Sequence, residues 1–362
     1  MPLDAATYRD LVSGTRRGIG AATVRALLRL GEIPYTWAVG RRNRQFDRGA
    51  REIVRVEVPV ISVGNLTLGG TGKTPFVAWI ARHLRQQDVR VTIVSRGYGV
   101  SAGARNDEAL ELEQRLPDVP HVQNRDRVAA ARVAIDELDC QAIVLDDGFQ
   151  HRRLARDLDI VLLDALEPFG WNHLVPRGYL REPRANLARA QVVALSRADV
   201  VAAERREEIR REAARLAPHA LWIETRHAPE AWLSASGREL PLAELAGKRV
   251  AALAGIGNPA GFRHTLATSG LEVVEFREFP DHHAFSRDDV QSLIAWADGL
   301  DVAAVVCTHK DLVKLGVDRL GRRPLWALVI GLEILAGEPE FAARLAEVTR
   351  PIAAPASNRP GA

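Results

Sequence analysis

The chain has 362 residues, 49 Lys and Arg against 46 Asp and Glu, and 47% hydrophobic residues, which excludes a largely disordered chain and leaves room for two globular domains. A net charge of +3 is too small to call for a nucleic-acid partner, and the two distant cysteines, Cys140 and Cys307, exclude a disulfide framework or a Cys-rich zinc site. No apolar run reaches the roughly 18 residues of a spanning helix, and Met1-Pro2-Leu3-Asp4 lacks the basic and then apolar opening of a secretory signal.

Residues 1–57 carry eleven Arg against six Asp or Glu. Within them Gly18 to Leu30 predicts a helix with a ragged apolar face, followed by Ile33, Tyr35, Trp37 and Val39 and by Arg41, Arg42 and Arg44. Two readings stand. One is a helix packed on the domain with a solvated basic edge. The other is an interfacial helix, with aromatics at headgroup level and Arg near anionic lipid.

From Val58 the pattern changes to short apolar runs between helical stretches. Val58–Val63, Val91–Ser95, Ala142–Leu145, Ile160–Leu163 and Val192–Leu195 read as buried strands, and Phe76–Leu84 and Arg127–Leu138 as helices. Such alternation predicts an α/β fold, a P-loop-like and mostly parallel sheet with helices on both faces, over 58–215. Residues 216–248 read as a linker or hinge. A second, smaller α/β domain is expected over 249–345 and a flexible tail over 346–362.

The strongest local signal follows the first strand: Gly64-Asn65-Leu66-Thr67-Leu68-Gly69-Gly70-Thr71-Gly72-Lys73-Thr74-Pro75. It matches the G-x-x-x-x-G-K-[ST] phosphate loop except that Thr67 stands at the first glycine. Glycines let backbone N–H groups turn toward a phosphate chain, the Lys73 ammonium neutralises it, and the Thr74 hydroxyl suits Mg²⁺. Nucleotide contacts are therefore expected from Thr67, Leu68, Gly69, Gly70, Thr71, Gly72, Lys73 and Thr74. Further on, the run Ala142–Leu145 ends in Asp146-Asp147, a carboxylate pair suited to Mg²⁺ beside the loop; the plain alternative is an Asp capping the turn at Gly148.

The continuation Asp146-Asp147-Gly148-Phe149-Gln150-His151 resembles the signature of the tetraacyldisaccharide 4'-kinase (lipid A 4'-kinase) family. So do Ser95-Arg96-Gly97-Tyr98-Gly99, Asn106-Asp107-Glu108, Val175–Pro183, Ala254–Pro259, Phe279–His283 and Lys310-Asp311, in the family's order. The resemblance implies transfer of the γ-phosphoryl of ATP, with Mg²⁺, to the 4'-hydroxyl of a tetraacyl glucosamine disaccharide 1-phosphate. It implies a base at Asp107, oriented by His282 once two domains close, and a peripheral place on the cytoplasmic face of the inner membrane. Asp107-Glu108 is followed by Ala109 where the family usually has Pro, and the stretch from Tyr98 to Asp107 is short for the family. Tyr98, Arg125, His151, Arg181 and Glu182 are candidate substrate or nucleotide contacts, and no obligate protein partner is expected.

Two other classes share the loop. A P-loop GTPase or metal-insertion chaperone would need an Asn/Thr-Lys-x-Asp stretch, to which Ser196–Asp199 and His309–Asp311 come nearest, and a Cys or His cluster, which the sequence lacks. A non-catalytic nucleotide-binding module would make Asp107 and His282 replaceable.

Overall fold

The computed structural model describes residues 5–97, 107–256, 259–280 and 283–350. The chain opens with α1 (Ala5–Ser13) and α2 (Ile19–Asp47), followed by β1 (Val60–Asn65), α3 (Lys73–Arg85), β2 (Val91–Ser95) and α4 (Asp107–Arg115). Next come β3 (His121–Gln123), α5 (Arg127–Asp136), β4 (Ala142–Asp146), β5 (Leu158–Asp164), β6 (Val192–Ser196), α6 (Ala203–Leu216) and β7 (Leu221–Leu233). The remainder is β8 (Glu239–Leu240), β9 (Arg249–Ala254), α7 (Pro259–Thr268), β10 (Glu272–Glu278), α8 (Arg287–Asp298), β11 (Ala304–Thr308), α9 (His309–Leu315), β12 (Arg319–Leu320), β13 (Arg323–Ala336) and α10 (Glu338–Thr349).

These elements form two compact units. The first holds residues up to Arg96, Val119–Arg226 and those from Glu333 onward; the second holds Gly97–Asp118 and His227–Leu332. In the first unit the strands run β3-β2-β4-β1-β5-β6-β7, and each neighbouring pair is parallel. Residues of β1, β2, β4 and β6 are buried throughout, because helices cover the sheet and an unbroken apolar run is what such strands require. Ile143 and Leu145 pack with the α5 residues Val128, Ala131 and Ala134. Val161, Leu163, Val193 and Leu195 pack with Ile209 and Ala213 of α6. The chain leaves β1 for β2 while β4 fills the place between them and β5 flanks the other side. That reversal is a topological switch point, and α/β sheets bind ligands beside such a point at the carboxyl ends of the strands.

In the second unit β10-β9-β11-β13 are parallel neighbours. Alternation splits them between two cores. Ala251, Leu253, Val305 and Cys307 join Leu293 of α8 and Leu312 of α9; Val250, Ala252 and Val306 join Phe262 and Leu266 of α7. A reciprocal capping box between Ser286 and Asp289 starts α8.

The structure departs from the expected boundaries in four places. The stretch read as a linker, 216–248, contains β7, a 13-residue strand. Its inward residues Ile223 and Thr225 are fully buried, while its polar alternates are paired: Glu224 with Arg206 and Arg226 with Glu333. Residues 97–118 group with the second unit, through helix α4 on α9. The tail expected from 346 is α10 as far as Thr349, and its Phe341 stacks on Trp79 of α3 at 5.6 Å; residues 351–362 lie outside the described ones. The N-terminal helix expected to stop at Leu30 continues through Pro34 to Asp47.

Candidate active site

Strand β1 delivers the loop. Gly64 must be glycine, because a Cβ there would stand 2.6 Å from the Cβ of Phe149. Asn65 ends the strand fully buried, donates from Nδ2 to the Thr67 carbonyl at 2.9 Å and places Oδ1 3.5 Å from Lys73 Nζ. Gly69 and Gly72 have φ of 97° and 83°, left-handed values that a side chain would strain. Gly72 is the N-cap of α3, and Lys73 and Thr74 occupy its first turn. Pro75 follows at a position whose N–H would lack a helical acceptor in any case. Among the loop residues Thr71 is buried with no hydrogen-bond partner for its hydroxyl, and Thr74 is half-buried.

The loop is braced from outside by the segment 179–181. Leu68 N–H donates to the Tyr179 carbonyl and Arg181 N–H to the Leu66 carbonyl, both at 2.7 Å. This short antiparallel pairing puts the Arg181 guanidinium beside the end of β4. There Arg181 Nη1 donates to both Asp147 oxygens at 2.9 Å, and Lys73 Nζ lies 3.5 Å from Asp147 Oδ1. Burial would raise the Asp147 carboxyl, but Lys73 and Arg181 outweigh it and hold the group below its ordinary value. Asp147 adopts φ 51°, and the next residue is wedged: a Cβ on Gly148 would lie 2.6 Å from Ser62 Oγ. Asp146, buried at the strand end, completes the pair.

These residues fit Mg²⁺ by donor chemistry. Two carboxylates and the Thr74 hydroxyl are hard oxygen donors, and Mg²⁺ takes few protein ligands, filling its shell with phosphate and water.

The remaining expected residues divide. Glu182 is fully buried and accepts from Asn43, Gln150, Asn186 and Arg189. The residue expected as a candidate ligand contact is thus placed as an internal brace: with Gln150, which also donates to the Asn65 carbonyl at 2.9 Å, it ties β1 to the segment bearing Arg181. His151 is half-buried, its value lowered to about 4 by burial and then by Arg127, so it is neutral near pH 7. It faces Arg127, Asp126, Arg156 and Arg153, and no hydrogen bond joins it to Lys73, Asp147 or Arg181. Arg125 is exposed in the turn before α5. Asp107 is the first residue of α4 in the second unit, not on the loop-bearing unit as expected; its side chain, with Tyr98 and His282, lies outside the described residues. Asn65, Gln150 and Tyr35 escaped the sequence reading, though a polar Asn closing an otherwise apolar strand was a visible signal.

Neither guanine-type stretch is free to read a base. Asp311 is fully buried and accepts from the Gly255 N–H and the Thr308 hydroxyl, while Arg197 is paired with Asp164.

A parallel sheet, a glycine loop between its central strand and a helix, a lysine at the helix start and a strand-end aspartate beside it define a P-loop nucleotide-handling protein. The chain belongs to the LpxK family: the family model described as tetraacyldisaccharide-1-P 4'-kinase matches residues 24–350. The tetraacyldisaccharide 4'-kinase of Anaeromyxobacter sp. (strain K) is 44% identical over 330 residues, covering 86% of each chain. That of Geobacter sulfurreducens is 36% identical over 353 residues, covering 93% of this chain and 97% of its own. The crystal structure of LpxK from Aquifex aeolicus in complex with ATP aligns with a TM-score of 0.73 at 29% identity, over 90% of this chain and 99% of that one.

Proposed function

We propose that this protein is an ATP-dependent kinase that phosphorylates the 4'-hydroxyl of a tetraacyl glucosamine disaccharide 1-phosphate in lipid A biosynthesis. The observation that carries the reading is the Lys73–Asp147–Arg181 cluster at the mouth of the phosphate loop, in a chain of this family. Two cations and one carboxylate are what a triphosphate needs: Lys73 exchanges the Asp147 oxygen for phosphate oxygens, and Arg181 offers a second positive charge near the reacting group. Mg²⁺, held by Thr74, Asp147 and Asp146, neutralises phosphate charge when bound. The acceptor oxygen forms a bond to the γ-phosphorus as the β–γ bridging bond breaks and ADP leaves. The hydroxyl proton passes to the Asp107 carboxylate, which His282 orients.

The acceptor is a lipid, and α2 offers a face for the surface on which it lies. Ile19, Leu27, Leu30, Ile33 and Trp37 are exposed there, Trp37 at 62%, next to Arg41, Arg42 and Arg44. Among the described residues no helix is long and apolar enough to cross a membrane. This pairing of apolar and basic groups supports the reading of a peripheral place on the cytoplasmic face, with α2 in the interface.

The test is phosphate transfer from labelled ATP to a tetraacyl disaccharide 1-phosphate in detergent, wild type beside Lys73→Ala. Transfer is expected from wild type, with loss on the order of 10²–10³-fold in the variant. ATP binding without transfer by wild type would mean that the acceptor has been misread.

A further inference from the structure

Helix α2 is inverted for a helix on a globular surface. Its exposed side is apolar, while Glu32 and Asn43 stand among its buried residues. Burying a carboxylate is costly unless its oxygens are used, and here they are. Glu32 accepts from Leu174 N–H at 2.9 Å and from Arg29 at 2.9 Å, and lies 3.2 Å from His173 Nδ1. One turn on, the Tyr35 hydroxyl donates to the Arg181 carbonyl at 3.0 Å. Gly31 lets the helix come this close, since a Cβ there would meet Pro176 at 3.2 Å. Helix α1 grips the same loop: the Tyr8 hydroxyl donates to the Pro176 carbonyl at 2.7 Å, and Arg177 donates to the Val12 carbonyl.

We infer that Glu32 and Tyr35 are positioning residues of the phosphate site, acting through the loop 173–181 on Arg181. The path is unbroken. Glu32 fixes Leu174, Val175 N–H donates to the Leu180 carbonyl at 2.9 Å, Tyr35 holds the Arg181 carbonyl, and the two backbone bonds to Leu66 and Leu68 carry that register to the phosphate loop. Arg181 thereby meets Asp147 with its guanidinium already placed. The helix that offers an apolar face outward is thus a wall of the reaction site on its inward face, so displacement of α2 would move Arg181. This rests on the kinase reading above for its activity assay, not for its structural readout.

The experiment is a double-mutant cycle with Arg181→Ala, measuring kcat with detergent-dispersed acceptor and ATP affinity by calorimetry. Glu32→Ala should lower kcat about five- to tenfold, the value of one net hydrogen bond, with ATP affinity within about threefold. Glu32→Gln, whose amide oxygen still accepts from Leu174, should restore most of the loss. Tyr35→Phe, which removes a single hydroxyl, should act in the same direction. In the Arg181→Ala background Glu32→Ala should add nothing; additive losses would overturn the inference, because a merely structural residue would lower both backgrounds alike. Hydrogen exchange at the Leu68 and Arg181 amides reads the same coupling without any acceptor. Faster exchange in Glu32→Ala but not in Glu32→Gln is expected, and unchanged protection in both would refute the coupling. A wild type inert toward the acceptor, yet showing that exchange pattern, would sink the kinase reading alone.

Discussion

Replacing Asn65 by Asp changes one atom and tests whether the strand end governs the phosphate loop. The native amide donates to the buried Thr67 carbonyl at 2.9 Å and faces Lys73 with its oxygen at 3.5 Å. In Asn65→Asp the donor becomes an oxygen facing a carbonyl oxygen. The lost bond and the unsatisfied buried acceptor together cost about 1–3 kcal/mol, which at ~1.4 kcal/mol per tenfold is about 5- to 150-fold in kcat/KM for ATP. The new carboxylate also draws the Lys73 ammonium toward the strand and away from the phosphates. Asn65→Ala loses the same bond without adding repulsion, so its loss should fall at the lower end of that range, about 5- to 10-fold. The order is therefore wild type, then Ala, then Asp. The Asp deficit should narrow as pH falls, because a protonated carboxyl regains an O–H for the Thr67 carbonyl. Initial rates across ATP concentrations at several pH values decide it. An Asp variant within threefold of wild type, or better than Ala, would refute a governing role for Asn65.

Other consequences follow from the same geometry. Glu182→Ala strands four donors, two of them on Arg189 and Asn186, in a fully buried site; thermal or urea unfolding should show a loss of about 3–5 kcal/mol. Gly148→Ala drives a Cβ into Ser62 Oγ and Leu145 at 2.6–2.7 Å, so Asp147 shifts and kcat should fall at least about tenfold; full activity would show that the strand end yields freely. His309, buried against Gln114, Glu111 and Arg115 of α4, is lowered from 6.5 to about 4 by burial and then by Arg115. Since the folded state binds its proton less readily than the unfolded one, its contribution is intact above about pH 6.5 and is lost as pH falls toward 4. Between pH 7.5 and 5 that amounts to about 2 kcal/mol, and His309→Gln should flatten this part of the stability–pH curve measured by denaturant unfolding.

What was legible in the sequence was what depends on neighbours in the chain. The strands of the first unit are buried on both faces, so β1, β2, β4 and β6 appear as continuous apolar runs. The phosphate loop is a local device whose glycines, lysine and following helix lie within ten residues. What was not legible depends on partners far along the chain. Strand β7 looked like a linker because its polar alternates are satisfied by Arg206 and Glu333, which no local pattern reveals. Glu182 looked like a ligand contact because a charged residue beside Arg181 suggests chemistry; its four donors come from α2, from the turn after β4 and from the segment after Pro183. Helix α2 is the clearest case. Read as an amphipathic stripe, its apolar side would be expected to pack inward, and both sequence readings turned on which medium that side meets. The buried Glu32 and Asn43 reverse the question. A helix that spends its polar residues on the phosphate site and leaves Leu27, Leu30 and Trp37 outside must find its apolar contacts elsewhere. The inward face of that helix, through Glu32 and Tyr35, is the one that meets the loop carrying Arg181.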